Sequence, residues 1–479
     1  MNKILEISRF FYIAGIGMIP FITFPYSYTP FTLSKTYFLI FFCLVAVTFF
    51  FLSKPKEYYI PLGLGVLLLI EFLNGLLNFN LFLFPRYSEH ILISATIFIY
   101  IFLGINLFKK IDLEKIIFFT SFLVTIPSLA DMYLSLERTS GTFGQANFFG
   151  SYLSILILIL IKNYPEYILK VNKYLLFLYS GVIVFLFAKT ASISSLICLF
   201  IGMIFLKDSL KKINLKIVGF IILVLMLSLF LVGQVFIFKI QDTYNQLFKP
   251  NQTIISDSFL IRTKIWSGSI EIFKNNPQIL FLGIGPNNFS YWFEKNREYS
   301  MQGLSEENFL YDKPHNYFLE ILLNYGFLYL ILFLFMIYKG LQENKNYYYL
   351  IAPIIFFIFF NWLDIYFKII FFLICFSNVY KIQIKNFKFF NYSTISILLT
   401  TFVVFSVLFY RDTSYFFGNK NYVFSYKYEE VINFKVKDPI ILIYSIDSER
   451  TLNNTKIKDF LLENFSNNQA ILFNLDKLF

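Results

Sequence analysis

Charged residues are scarce in this sequence, and so are cysteine, histidine and tryptophan. Only 15% of the 479 residues are charged, whereas a soluble domain carries about a quarter. The three cysteines, Cys43, Cys198 and Cys375, lie far apart inside apolar runs. Their spacing excludes a disulfide framework and a cysteine-based metal site. The low charge excludes an ordinary soluble domain.

Long apolar runs take the place of the missing charge. Hydrophobic residues make up 57% of the chain, and runs of about 18 or more can span hydrocarbon as helices. Because the runs are continuous rather than alternating, they are helices and not barrel strands. We predict an all-α polytopic membrane protein with about 12–13 transmembrane helices. The predicted spans are 8–25, 33–52, 58–77, 90–108, 113–133, 146–162, 173–188, 190–206, 215–238, 316–338, 347–363, 365–380 and 393–410.

The spans divide the chain into four regions. Transmembrane helices one to nine occupy 1–238, and helices ten to thirteen occupy 315–410. Between them, 239–314 is predicted to be a large outward loop with amphipathic helices. The tail, 411–479, mixes strand-like VFSYKY and PIILIYSI with helix-like TKIKDFLLENF, which predicts a small outward α+β domain.

The short connections between spans are alternately rich and poor in lysine and arginine. One set of connections holds nineteen of them, and the alternating set holds only Lys35, Arg86, Arg138, Lys189 and Lys368. Positive residues accumulate on the cytoplasmic side, so the amino terminus is predicted inside, and the loop and tail outside. The formal charge of +11 does not indicate nucleic acid, because in a membrane protein the position of charge matters more than its sum.

Arginine is distributed differently from lysine. Of the seven arginines, all except Arg9 fall on the predicted outer side. A guanidinium binds phosphate or carboxylate in a bidentate fork that an ammonium cannot match. The pattern therefore predicts that the outer face handles an anionic, phosphorylated ligand; the alternative is chance among few residues.

Two outward segments are candidate binding sites: the first has the residues of an anion site, and the second suits a ligand whose lipid tail lies in the bilayer and whose head lies at the surface. In RTSGTFGQAN, Arg138 precedes two glycines that permit a tight turn, and Asn147 is placed to cap the next helix. In the loop, Arg262 shares a helix face with Trp266 and Ile270, Pro277 ends that helix, and a turn with Gly283 and Gly285 follows. The alternatives are a plain glycine-rich connector for the first and a structural surface helix for the second.

The third outward segment contains one of only two histidines. His315 follows Pro314 and precedes Asn316, a helix-capping residue, at the mouth of a predicted span. A neutral imidazole is suited to take a proton from a sugar hydroxyl. The alternative for His315, and equally for His90, is a hydrogen-bonded residue at a helix end.

Together these segments resemble the O-antigen ligase superfamily of bacterial envelope proteins. The resemblance covers 130–340 in motif and the rest in architecture. It is carried by Arg138 with Gly141, Thr142, Phe143, Gly144 and Asn147, by Arg262 with Trp266, by Pro277 with Gly283, Ile284 and Gly285, and by His315 with Asn316 and Gly326. One departure is the segment KTASISS, which has Ile193 where the family often has arginine; Lys189 is the candidate substitute.

The resemblance implies a function and a site. Such enzymes move a glycan from undecaprenyl diphosphate to a hydroxyl acceptor, which is a lipid core, a protein or a polysaccharide, at the outer side of the bacterial cytoplasmic membrane, without cofactor or metal. By this analogy Arg262 and Arg138 hold the diphosphate and His315 activates the acceptor. The expected substrate-binding residues are Arg138, Asn147, Lys189, Gly283, Gly285 and Asn316.

Two alternatives to ligation stay open. A polymerase of the same superfamily differs only in its acceptor, which is a second carrier-linked chain. A lipid or solute transporter is the other alternative, because Glu71, Asp131 and Lys368 lie near the predicted bilayer. Transporters commonly show internal repeats, and no convincing repeat is present here.

Overall fold

The computed structural model is largely helical over the residues that it describes. These are 3–23, 33–55, 57–78, 84–108, 112–134, 138–170, 172–207, 258–286, 288–297, 309–376 and 381–385, with pieces at 422–423, 426–427, 458–459, 461–463, 468 and 471–472. The helices that precede the loop are α1 (Lys3–Met18), α2 (Leu33–Leu52), α3 (Leu62–Leu77), α4 (Phe84–Leu107), α5 (Leu113–Leu134), α6 (Ala146–Lys170), α7 (Lys173–Lys189) and α8 (Ile193–Phe205).

The second half of the chain adds short helices in the loop and longer ones after it. The loop contains α9 (Ser258–Asn275), α10 (Ile279–Leu282) and α11 (Phe289–Asn296). The helices that follow are α12 (Tyr317–Tyr325), α13 (Phe327–Glu343), α14 (Tyr348–Phe360) and α15 (Ile365–Phe376). Helix α9 ends before Pro277, as predicted.

Several helices have the length and composition of membrane spans. Within the described residues, the stretches Lys35–Leu52, Leu113–Asp131 and Ala146–Asn163 are long and apolar enough to cross a membrane. Shorter apolar helices accompany them, at Leu62–Leu77, Ile93–Leu107, Ile193–Phe205, Lys345–Phe360 and Ile365–Phe376. The chain is thus a membrane protein with many apolar helices. The predicted spans 215–238 and 393–410 lie outside the described residues, so the full number of spans stays a prediction.

Several connections that are rich in lysine lie together at one end of the bundle, which we name the lysine end. There Lys162 Nζ pairs with Glu114 Oε1 at 2.6 Å and donates to the carbonyl of Asn346 at 3.4 Å. Close by along the chain, Asn344 Nδ2 donates to the carbonyl of Ile374 at 2.7 Å. The opposite end, which holds Arg138 and Arg262, is named the arginine end.

A two-stranded sheet at the lysine end corrects the all-helical prediction. Strand β1 (Glu57–Pro61) pairs antiparallel with β2 (Lys381–Lys385), and Tyr59 faces Gln383. The predicted span 58–77 was wrong in its first residues, because Pro61 allows the helix to begin only at Leu62. The side chain of Asn106 accepts from the Tyr59 amide and donates to its carbonyl, which anchors the sheet to α4.

The predicted span 316–338 is two helices rather than one. Gly326 separates α12 from α13 and has φ 83°, in the left-handed region. A Cβ at this position would lie 2.2 Å from the carbonyl oxygen of Phe281, so only glycine admits the close approach of α10. With nine residues, α12 is about 13 Å long and too short to span hydrocarbon. By contrast, the predicted division at Lys189-Thr190 is confirmed, because α7 ends at Lys189.

A piece of the tail contacts the loop. Glu294 and Arg297 form a buried ion pair at 3.2 Å in the loop, and Asn468 Nδ2 donates to Glu294 Oε2 at 2.6 Å. Further pieces of the tail fall where strand and helix were predicted. They are a strand pair of Tyr422–Val423 with Tyr426–Lys427 and helical residues at 458–459 and 461–463. Most of the tail lies outside the described residues, and its outward position stays a prediction.

Replacing Gly326 by alanine tests the break between α12 and α13. We expect Gly326→Ala to lower the free energy of unfolding by about 2 kcal/mol or more, because it adds left-handed backbone strain and a clash with Phe281. Gly65→Ala in α3 is the matched control, since its Cβ would meet only Phe98 Cε2 at an ordinary 3.5 Å. Thermal unfolding in detergent measures both; equal midpoints for the two variants would contradict the account.

Candidate functional site

The turn that carries Arg138 is held by a single carboxylate. One oxygen of Asp131, Oδ2, accepts hydrogen bonds from Thr139 Oγ1 at 2.6 Å and from the amides of Ser140 and Gly141 at 2.9 Å each. Gly141 has φ 53°, and a Cβ there would lie 2.5 Å from Ser128 Oγ. The glycine therefore lets the turn press against α5, where Asp131 reaches its amides.

Arg138 closes the end of α7. Its Nε donates to the carbonyl of Thr190 at 2.7 Å, and its Nη2 donates to Asn147 Oδ1 at 3.1 Å. The amide of Thr139 also donates to the carbonyl of Lys189, at 3.4 Å. The structure thus joins Arg138 and Asn147, which were predicted in one motif, to the backbone of Lys189, which was predicted in another segment.

Asn147 has a different local role from the one predicted. Helix α6 begins at Ala146, so Asn147 lies inside the first turn and does not cap it. Its side chain accepts from Arg138, and its carbonyl accepts from Ser195 Oγ at 3.1 Å. Ser192 caps α8 by accepting from the Ser195 amide at 3.3 Å. These contacts join the starts of α6 and α8 to the Arg138 turn.

A buried lysine on α2 also binds the turn that carries Arg138. Lys35, at the start of α2, is 1% exposed. Its Nζ donates to the carbonyl of Thr142 at 2.7 Å and lies 4.3 Å from the ring centroid of Phe143. Thr142 Oγ1 in turn donates to the carbonyl of Pro20 at 2.5 Å. Lys35 therefore fixes the turn.

His315 sits in a constrained position before α12. It has φ 53°, a left-handed conformation that is uncommon outside glycine. The preceding carbonyl, of Pro314, accepts from Trp266 Nε1 at 3.0 Å. Asn316 caps α12 by accepting from the Leu319 amide at 3.0 Å, which confirms the predicted cap. The loop helix α9 and the cap together hold His315 at the entrance of α12.

The surroundings of His315 favour a neutral imidazole. Its pKa is lowered from 6.5 to about 4, mainly by burial and also by the positive charges of Arg262 and Lys313, while Asp312 acts in the opposite direction. Its Nδ1 is buried and has no hydrogen-bond partner within the described part of the chain. His315 is therefore uncharged at pH 7 and has a ring nitrogen able to accept a proton.

Arg262 reaches this position from the loop. On α9, Ile261 and Ile265 pack into the loop core. Arg262 and Trp266, one residue later in each case, therefore lie on a different face of α9. The Trp266 ring lies 6.1 Å from that of Phe359 and 6.0 Å from that of Phe360, at the end of α14. The indole thereby holds α9 against the bundle, with the Arg262 charge beside His315.

Trp362 connects the two halves of the site. Its ring centroid lies 4.8 Å from that of His315 and 5.1 Å from that of Phe148, the neighbour of Asn147. Lys313 Nζ lies 5.8 Å from the same ring. The Arg138 turn and the His315 segment are thus at the same end of the bundle, on the two sides of one indole.

Gly283 and Gly285 are not brought to His315. The amides of Ile284 and Gly285 donate to the carbonyls of Leu323 and Asn324, at 2.7 and 3.0 Å. These carbonyls belong to the last turn of α12, roughly 12 Å along that helix from Asn316. Asn74 Nδ2 donates to the carbonyl of Leu282 in the same turn. The two glycines position the loop on α12 and α3, and their predicted contact with substrate stays untested.

A comparison with known protein families gives a match over part of the chain. Residues 174–334 match the O-antigen ligase family model. The resemblance to the O-antigen ligase superfamily is thereby confirmed. The matched part contains Lys189, Arg262 and His315, while Arg138 and Asn147 lie before it. No curated protein and no solved structure gives a match.

The sequence interpretation missed several residues in the part that matches the O-antigen ligase model and around it. Trp362 is one of only three tryptophans among 103 Phe, Trp and Tyr residues, and that rarity is the signal that could have found it. Lys313 directly precedes the Pro314–Asn316 segment and was given no role. Asp131 was considered as an intramembrane acid rather than as the anchor of the turn. The side chains of Arg86 and His90 lie outside the described residues.

Removing the Asp131 carboxylate tests the anchor of the Arg138 turn. We expect Asp131→Ala to destabilise the protein by about 2 kcal/mol, since hydrogen bonds to a charged group are among the stronger ones. Glu271→Ala is the control, because the side chain of Glu271 is half-exposed and its pairing with Lys274 is worth under ~1 kcal/mol. Thermal unfolding in detergent compares them, and an equal loss in both variants would argue against an anchoring role.

The lowered pKa of His315 predicts a stability change in acid. The unfolded chain takes up the proton near pH 6.5, whereas the folded chain does so near pH 4. Stability is therefore full above pH 6.5 and falls as the pH drops from 6.5 to 4, by up to ~1.4 kcal/mol per pH unit. Unfolding midpoints across this range should fall less steeply in His315→Gln. Parallel curves for the two proteins would show that His315 is not buried in its neutral form.

Proposed function

We propose that this protein transfers a glycan from a polyprenyl-diphosphate carrier, with undecaprenyl as the expected chain, to a hydroxyl acceptor. The observation that carries the proposal is the neutral, half-buried His315 beside Arg262, joined through Trp362 to the Arg138 turn. A base with an available nitrogen lies among fixed cations. The match to the O-antigen ligase model supports this reaction class.

The chemistry follows from these residues. The acceptor O–H gives its proton to a ring nitrogen of His315 while its oxygen bonds to the anomeric carbon of the glycan. The bond from that carbon to the carrier diphosphate breaks, and the electron pair leaves with the diphosphate. Arg262, with its guanidinium fork, stabilises the negative charge that develops there. Arg138 adds a second guanidinium at the same end of the bundle.

Donor binding would also improve the base. Without a bound donor, burial and the nearby cations disfavour the imidazolium, so His315 is a weak base. A bound diphosphate adds negative charge next to Arg262 and raises the pKa of His315 toward neutrality. His315 then accepts a proton more readily only when the donor is in place, which couples catalysis to occupancy.

The distribution of charge supports a location and an orientation. With the lysine end inside, the amino terminus is cytoplasmic, and His315, Arg262 and Arg138 face outward. The proposed location is the bacterial cytoplasmic membrane, with membrane lipids as neighbours. A transporter gains no support, since Asp131 is engaged by the Arg138 turn and does not line the cavity that contains Glu71.

Two substitutions test the proposal in a reconstituted transfer assay with a carrier-linked glycan. His315→Gln should lower kcat by about 10²-fold or more through loss of the base. Arg262→Lys keeps the charge but loses the fork, and should lower kcat by about tenfold. Lys264→Gln, which removes a charge from the same helix, is the control.

The acceptor is identified in the same assay. Products that grow by whole carrier-linked chains indicate a polymerase, and transfer to a lipid core, a protein or a separate polysaccharide indicates a ligase. Full transfer by both His315→Gln and Arg262→Lys, each expressed and inserted normally, would refute the proposed mechanism.

A further inference from the structure

A cavity with several polar side chains in its wall lies about one helical turn from His315. It is bounded by α3, α4, α12 and α15 and is partly open to its surroundings. Its polar lining includes Glu71, Tyr317, Glu320, Asn324 and Lys368. The proposed reaction uses none of these side chains, although Tyr317 and Glu320 belong to the first turn of α12, directly after Asn316.

Two polar atoms in the wall of this cavity are hydrogen-bond acceptors without a partner among the described residues. Asn324 is 5% exposed, and its Oδ1 has no hydrogen-bond partner among the described residues. Within the same described ranges, the buried Oε2 of Glu320 has none either. A carbonyl oxygen and a carboxylate oxygen can only accept, and buried polar atoms are normally paired. An occupant must therefore supply O–H or N–H donors.

The charges in and near the cavity disfavour an anion. Lys368 interacts electrostatically with the carboxylates of Glu320, Glu71 and Asp364 and with the ammonium of Lys313. Three carboxylates thus face two ammonium groups, which leaves an excess of negative charge. Glu71 is also held by Tyr329, whose hydroxyl donates to Glu71 Oε1 at 2.5 Å. A neutral or positively charged occupant is favoured.

The remaining walls are apolar and aromatic. They are formed by Leu64, Leu68, Ile321, Tyr325 and Phe372. A sugar ring presents apolar C–H faces and a rim of hydroxyl donors, which matches apolar walls with a few placed acceptors. We propose that this cavity is a subsite for one neutral or amino sugar ring of the glycan or of the acceptor.

The position of the cavity ties it to the reaction, so this inference rests on the proposed function. Glu320 follows Asn316 by four residues, a rise of about 6 Å along α12. Lys313 acts electrostatically on both His315 and Lys368. A ring in the cavity would therefore lie next to the sugar unit that reacts at His315.

Sugar binding is measured first, without transfer. Saturation-transfer NMR on the protein in nanodiscs should detect glucose and glucosamine, with glucuronate at least about tenfold weaker because of charge repulsion. Asn324→Leu and Glu320→Gln should each weaken glucose binding by about tenfold. Glu343→Gln, at the exposed end of α13, should leave binding unchanged. Equal binding of all three sugars, binding unaffected by both cavity variants, or no binding at all would overturn the subsite.

Transfer kinetics then separate the two proposals. Asn324→Leu should raise KM about tenfold with little change in kcat; a rise for the donor assigns the ring to the glycan, and a rise for the acceptor assigns it to the acceptor. If KM for the donor and KM for the acceptor are both unchanged, the subsite is overturned. The proposed function would still stand if His315→Gln strongly lowers transfer. Full transfer by His315→Gln, with sugar binding intact, would instead remove the proposed function and leave a sugar site without this reaction.

Discussion

A helix that ends inside or beside a membrane must find hydrogen-bond partners for its terminal backbone groups within the protein. At the arginine end of this bundle, Arg138 donates to the carbonyl of Thr190 at the end of α7, Ser192 caps α8, and Asn316 caps α12. Asp131 does the same for the amides of the Arg138 turn. The site is built from these caps, so the arrangement of its charged groups depends on how the helices end.

Because several helix ends meet at the arginine end, the charged groups of the site are close together and partly shielded from water. Side chains there are buried, and charges interact more strongly than in water. The imidazole of His315 is kept neutral by burial and by the cations around it. Trp362 adds an apolar wall between the Arg138 turn and His315. The packing that provides hydrogen-bond partners for the helix ends thus also keeps the imidazole of His315 neutral.

Local features could be predicted from the sequence, and contacts between distant segments could not. The Asn316 cap and the division at Lys189-Thr190 depend on neighbouring residues, and both predictions were right. The break at Gly326 depends on the carbonyl of Phe281, and strand β1 depends on β2, more than 300 residues later. Asn147 looked like a cap because no local pattern shows that Arg138 would occupy its side chain. The role of Trp362 likewise requires the packing of α6 against the α14–α15 connection.

The contact between Asn468 and Glu294 has a consequence for the order of assembly. Glu294 is fully buried next to Arg297, and part of its hydrogen bonding comes from a residue 174 positions later in the chain. A ribosome makes the loop long before it makes Asn468. The surroundings of Glu294 therefore reach their final state only after residue 468 has been synthesised and has reached the loop.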